Sequence, residues 1–175
     1  MAEMDRGEVF SLYRDVRARW AGRNGEYNSA RDRYNGKHWD PATNPAPVNR
    51  YSLTLNYLKP FADKSVQSLV GRMPAIQMMA TGTDEVARRH AESLEGVLYG
   101  TWYANNAAKV FFQTAWDSFV LRRGLIYLWW DPKAKMVKFK NVSPDNFYPE
   151  YDGEEMWRAV YASRRNTDRL KKEYP

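Results

Sequence analysis

The chain contains no cysteine and only two histidines among its 175 residues. A disulfide framework, a thiolate metal centre and thiol catalysis are therefore excluded, because each needs sulfur that is not there. His38 and His90 stand far apart, and neither belongs to an HExxH or Cys/His spacing, so no metal site or cofactor is expected. Long apolar runs are missing too. None approaches the ~18 residues of a membrane-crossing helix, and the opening MAEMDRGE is too polar for a secretory signal. A soluble protein with no membrane partner is expected. No GxSxG nucleophile elbow is present. Asn35-Gly36-Lys37-His38 echoes the end of a phosphate loop, but Arg31 stands where the first glycine is required and His38 where Ser or Thr is required.

What is present is an ordinary globular balance, 43% hydrophobic and 27% charged, of a size suited to one domain. Aromatics are abundant, with 7 Trp and 12 Tyr, which suits large cores and contact surfaces. The net charge is +6, and most of the excess falls in residues 122–175. Such a balance permits nucleic-acid contact without establishing it. The weak candidates for that contact are Lys133, Lys135, Lys138 and Lys140. Alternation over MVKFK puts Lys138 and Lys140 on one face, where they could meet phosphates or guard an exposed strand edge. Carboxylate pairs for acid–base work are sought in Asp84/Glu85, in Asp152/Glu154/Glu155 and in Glu92/Glu95. A helix start, a hairpin turn and a solvated helix face explain them more simply, so no catalytic residue is assigned.

The hydrophobic pattern predicts an α+β fold. Residues 8–21 carry Val9, Leu12, Tyr13, Val16 and Trp20 at helical spacing, and Gly22–Gly25 is read as the stop. A shorter helix is expected over 26–36, then an extended loop through the prolines of 40–50. Residues 55–70 show a helical stripe, with Pro60 in the first turn, Gly71 as a left-handed cap and Pro74 as a block. A short strand is expected at 75–79. Helices follow from about Asp84 to Tyr103 and onward to Arg123, with Gly124 as another cap. The second is apolar over too wide a face for open surface. An antiparallel β-meander is expected over 125–164, through strands 125–130, 136–140 and 146–151 and the hairpin signal Asp152-Gly153, and Asn166 or Thr167 could cap a last helix. The expected organisation is a helical arm over 1–50 and an α+β body over 51–175.

Three stretches carry a family resemblance: RDRYNGKHWD (31–40), NYLKPFADKSVQSLVGRMP (56–74) and VSPDNFYPEYDGE (142–154). With the helices between them they resemble the N-terminal, wing-region part of tailed-bacteriophage portal proteins. That family shows a Tyr-x-Gly arm, an Asn-Tyr helix with an internal Asp, and a Gly-basic-Pro exit. Tyr34/Gly36, Asn56/Tyr57/Asp63 and Gly71/Arg72/Pro74 match these, with Met73 inserted before the proline, and Pro144 and Pro149 belong to the third stretch. The resemblance implies a non-enzymatic subunit of a homo-oligomeric ring, typically of twelve copies, at the portal vertex of the virion. It further implies double-stranded DNA in the channel during packaging and ejection, and terminase, a head–tail adaptor and the major capsid protein as partners, with assembly in the host cytoplasm. No stem helices and no tunnel loop are seen, so a fragment or the ordered portion of a longer chain is expected. The subunit contacts are expected on the helices within 84–123 and on the meander. The rival expectation is a stand-alone basic nucleic-acid-binding module.

Overall fold

The computed structural model describes residues 5–38, 55–72, 75–164 and 166–168. Helices α1 (Arg6–Arg19), α2 (Ala21–Tyr34), α3 (Leu58–Val70), α4 (Glu85–Ala104) and α5 (Ala107–Leu121) precede strands β1 (Leu125–Asp131), β2 (Met136–Val142), β3 (Phe147–Asp152) and β4 (Glu155–Tyr161). This is the expected α+β class. The chain forms two compact units, one of Met1–Ser29 with Ser143–Pro175 and one of Ala30–Val142. The Pro-rich loop on which a division at residue 50 was expected lies outside the described residues.

In the first unit Asp5 opens α1 with a capping box: its carboxylate accepts from Gly7 N, and Glu8 reaches back to Asp5 N at 3.1 Å. The first helix does end, but at Arg19, ahead of the expected stop at Gly22–Gly25. Trp20 N bonds Val16 O and Asn24 N bonds Trp20 O, so the chain turns at one residue and continues as α2 through both glycines. A helical glycine costs about 1 kcal/mol, which weakens a helix without ending it. Val16, Tyr27 and Tyr148 form the core, with Tyr13 and Trp20 edge-on to Tyr148 at 6.0 and 6.5 Å. Burial pushes the Tyr148 hydroxyl above its ordinary pKa of 10.0. Glu150, on the hairpin, is gripped by Arg158 and Arg19, which hold its carboxyl below the usual range.

In the second unit α3 and α5 pack together and β2 lies against α5; Ala62 and Val66 of α3, Ala107, Val110 and Leu121 of α5 and Val142 of β2 are buried. β1 and β2 lie on α5, where Asn141 donates to Asp117 at 2.9 Å and to Thr114 at 3.2 Å. Asn105, past the end of α4, donates to Val137 O at 2.9 Å. At the start of α4, Asp84 caps Ala87 N, as its position suggested.

Four further expectations change. Residues 75–79 pair with no strand among the described residues; instead Ile76 N donates to Tyr99 Oη at 3.1 Å and Met78 N to Glu95 at 3.4 Å, both on α4. Gly71 is right-handed (φ −65°), and it is glycine because a Cβ there would strike the Gln67 carbonyl. The left-handed residue after α5 is Arg122 (φ 60°); Gly124 is needed because a Cβ would lie 2.5 Å from Thr114 O. The expected meander forms two separate ladders, β1–β2 and β3–β4. Ser143 and the 3-10 turn Pro144–Asn146 intervene between β2 and β3, and the buried Pro144 has no N–H to offer a ladder. Gly153 takes φ 63° at the β3–β4 turn, as the Asp-Gly signal predicted. Asn166 accepts from Asp168 N at 2.8 Å where a helical turn begins.

Among the described residues Leu121, 1% exposed, is the largest wholly buried side chain. Leu121→Ala should lower the unfolding free energy by about 2–5 kcal/mol. Urea denaturation should show an earlier midpoint with an unchanged slope; an unmoved midpoint would contradict this core.

Candidate functional site

The arm and helix residues of the resemblance meet at one place in the second unit. Tyr34 closes α2 and is 9% exposed, its ring edge-on to Trp116 of α5 at 5.1 Å. A tyrosine buried this far needs a partner for its hydroxyl. It donates to Asp63 Oδ1 at 2.5 Å, and Lys59 Nζ donates to both Tyr34 Oη and Asp63 Oδ2 at 2.9 Å. The lysine also lies 4.6 Å over the Tyr34 ring. Asn56 Nδ2 donates to Tyr34 O at 2.8 Å, while its Oδ1 accepts from Lys59 N at 3.2 Å, so one amide joins the end of α2 to the start of α3. Gly36 has φ 81°, and an added Cβ would come within 3.1 Å of Asn56 Nδ2. The left-handed turn thus returns the chain past the amide without crowding it.

Both titratable members are shifted in the direction that favours their charged forms. The Tyr34 hydroxyl first, and Lys59 second, hold the Asp63 carboxyl below its ordinary 3.8. Hydrogen bonds to Tyr34 and then Asp63 raise the Lys59 ammonium above its ordinary 10.5. Lysine preceding the acid is the weaker order for an i,i+4 pair. The Tyr34 hydroxyl between them supplies the reason for the placement.

The other motif residues lie elsewhere. Tyr57 is 75% exposed and stays out of the network. Gly71 and Arg72 stand at the far end of α3, about 20 Å along its axis at ~1.5 Å per residue, and Pro74 lies outside the described residues. Pro144 and Pro149 are buried in the first unit. Lys59 and Trp116 were missed. The i,i+4 spacing of Lys59 and Asp63 was a usable signal; Trp116, distant in sequence, offered none.

The four basic candidates divide. Lys133 and Lys135 are exposed in the β1–β2 turn. Lys138 and Lys140 share one face of β2, opposite Trp129 and Tyr127, as alternation predicted. Tyr127 and Trp129 stack at 5.5 Å, with Lys140 Nζ 5.8 and 5.7 Å from their centroids. The carboxylates do not converge: Asp84 caps α4, Glu85 pairs with Arg89, Glu95 holds Met78 N, and Asp152, Glu154 and Glu155 sit at the hairpin turn. Among the described residues no three His, Cys, Asp or Glu side chains gather as metal ligands would.

Over residues 14–174 the chain matches the family model described as phage portal protein, SPP1 Gp6-like. The chain belongs to that family. Against curated proteins and against solved structures it has no match. Membership implies a structural, non-enzymatic role in a homo-oligomeric ring at a capsid vertex of a phage. No helix among the described residues is long and apolar enough to cross a membrane.

Tyr34→Phe should cost about 1.5–3 kcal/mol, the usual worth of a hydrogen bond to a charged group. The sign with pH follows from Asp63. Its folded pKa is lowered, so its contribution is present above the ordinary 3.8 and is lost as pH falls through the lowered value. The melting difference between wild type and Tyr34→Phe should therefore be full near neutrality and shrink in acid below 3.8. A pH-independent difference would refute the coupling.

Proposed function

We propose that this chain is the wing-region part of a portal subunit whose ring admits double-stranded DNA during packaging and ejection, and which docks the terminase motor, the head–tail adaptor and the major capsid protein. The observation that carries the proposal is the family match over residues 14–174. The distribution of apolar side chains supports it. Val86, Leu94 and Val97 lie exposed along α4, and Phe111, Phe112 and Phe119 are partly exposed on α5. Apolar surface of this extent is more usual in assembly components than in lone monomers. The mechanism is mechanical and electrostatic: a rigid ring keeps a channel open while an external ATPase moves the DNA. The Tyr34–Asp63–Lys59 tie and the Gly36 turn act as fixed braces of the subunit. Negative-stain electron microscopy of the purified protein should show closed rings with a central channel; monomers at every concentration would overturn the proposal.

A stand-alone basic nucleic-acid-binding module is favoured by one feature, the Lys138/Lys140 face with its Tyr127–Trp129 stack. Lysines beside stacked rings suit sequence-neutral contact with a strand. Titration with single- and double-stranded DNA separates the two. The portal proposal expects weak, salt-sensitive binding by the isolated monomer, whereas tight monomeric binding lost in Lys138→Ala/Lys140→Ala would favour the module.

A further inference from the structure

The first unit carries two surfaces of opposite character at opposite ends of one hairpin. At the β3–β4 turn Asp152, Glu154 and Glu155 are exposed, and none makes an ion pair among the described residues. Tyr151 and Met156 flank them, 56% and 53% exposed. Glu150, only two residues before Asp152, is held by two arginines. The unit thus pairs an acid where it has a partner within reach, and it leaves the tip acids to solvent.

The other end of the hairpin opens onto a groove of about 1070 Å³, bounded by α1, α2, the 3-10 turn and the residues after β4. Arg6, Arg17 and Arg164 line it, and none of the three makes an ion pair among the described residues. Val9, Phe10 and Tyr161 give it an exposed apolar lining, against a single acid, Asp145. Its volume is at the upper end of the ~300–1,000 Å³ typical of small-molecule pockets. It is open enough for a peptide turn.

We infer that the acidic tip of one copy seats in the arginine-lined groove of the next copy. This rests on the self-association proposed above and names the surfaces that carry it. Three carboxylates would meet three guanidiniums, which hold carboxylates in fixed, often bidentate geometry. Tyr151 and Met156 would cover Val9 and Phe10. A chain does not fill its own groove. Strand β4 has 7 residues, and at ~3.3 Å per residue it keeps its own tip about 20 Å from the groove end. The contact joins two different patches, so it is head-to-tail, the type that closes rings when its rotation permits.

Two charge reversals test this, Asp152→Lys/Glu154→Lys/Glu155→Lys at the tip and Arg6→Glu/Arg17→Glu/Arg164→Glu in the groove. Each alone should weaken self-association about tenfold or more at low salt, because like charges then face each other. Mixing the two variants should restore assembly, since each tip again meets an opposite groove. The absence of native cysteine permits a second measurement that needs no reversed charge. Glu154→Cys/Asn28→Cys, treated with a short bis-maleimide, should give a ladder of covalent oligomers, while each single cysteine gives dimers at most. Assembly unchanged by both reversals, or no ladder from assembled protein, overturns the docking and leaves the ring standing. Groove reversal that abolishes DNA binding but spares assembly also overturns it, and gives the groove to nucleic acid. A wild-type chain that never self-associates overturns the ring itself.

Discussion

The contact between the Tyr34 hydroxyl and the Asp63 carboxylate is where the larger unit is fastened. Three pieces of chain meet there: the end of α2, the turn through Gly36 with Asn56, and α3. Through the Tyr34 ring the tie extends to Trp116, and so to α5. α5 in turn seats the β1–β2 ladder by way of Thr114, Asp117 and Asn141. A buried hydroxyl shared between a carboxylate and an ammonium is held more strongly than a neutral pair and costs more to leave unmade. The helices around it contribute mostly small buried residues, Ala62, Val66, Ala91 and Ala107, so directional polar ties matter more here than in a thick aliphatic core.

The large apolar side chains are spent differently. Many of the aromatics and leucines stand at the surface of α3, α4, α5 and both hairpins, while Leu121, Tyr27 and Tyr148 are among the few large side chains buried. A lone monomer gains little from such surface, whereas a ring subunit uses it at walls shared with neighbours. The braces fix the shape of each copy, and the contacts proposed between copies draw on the exposed rings and charges. That division suits a family whose members work as rings.

The sequence disclosed helices and strands well where local signals were strong. Asp84 as a cap, Asp152-Gly153 as a turn and the alternation of Lys138 with Lys140 were each decided within a few residues. Readings failed where a distant partner decided the outcome. Residues 75–79 had the composition of a strand, but their donors found α4. Gly71 and Gly124 had the look of left-handed caps, but close approach to a carbonyl explains them. Gly22 and Gly25 suggested the break between α1 and α2, but it falls earlier, at Trp20, and α2 runs through both glycines. The convergence of Tyr34, Gly36, Asn56 and Asp63 was visible as an order of motifs, and not as a geometry. Only the fold shows that one hydroxyl and one amide join them.

Hydrogen exchange compared between dilute and assembled protein reaches the central claim most directly. Amides opened or closed by contact between copies change their protection, and those fixed within one copy do not. The account predicts new protection on assembly over residues 151–157 and at the groove residues of α1 and 160–164, with little change around Tyr34 and Asp63. Protection that changes at Tyr34 and Asp63 while the hairpin tip and groove stay open would contradict it.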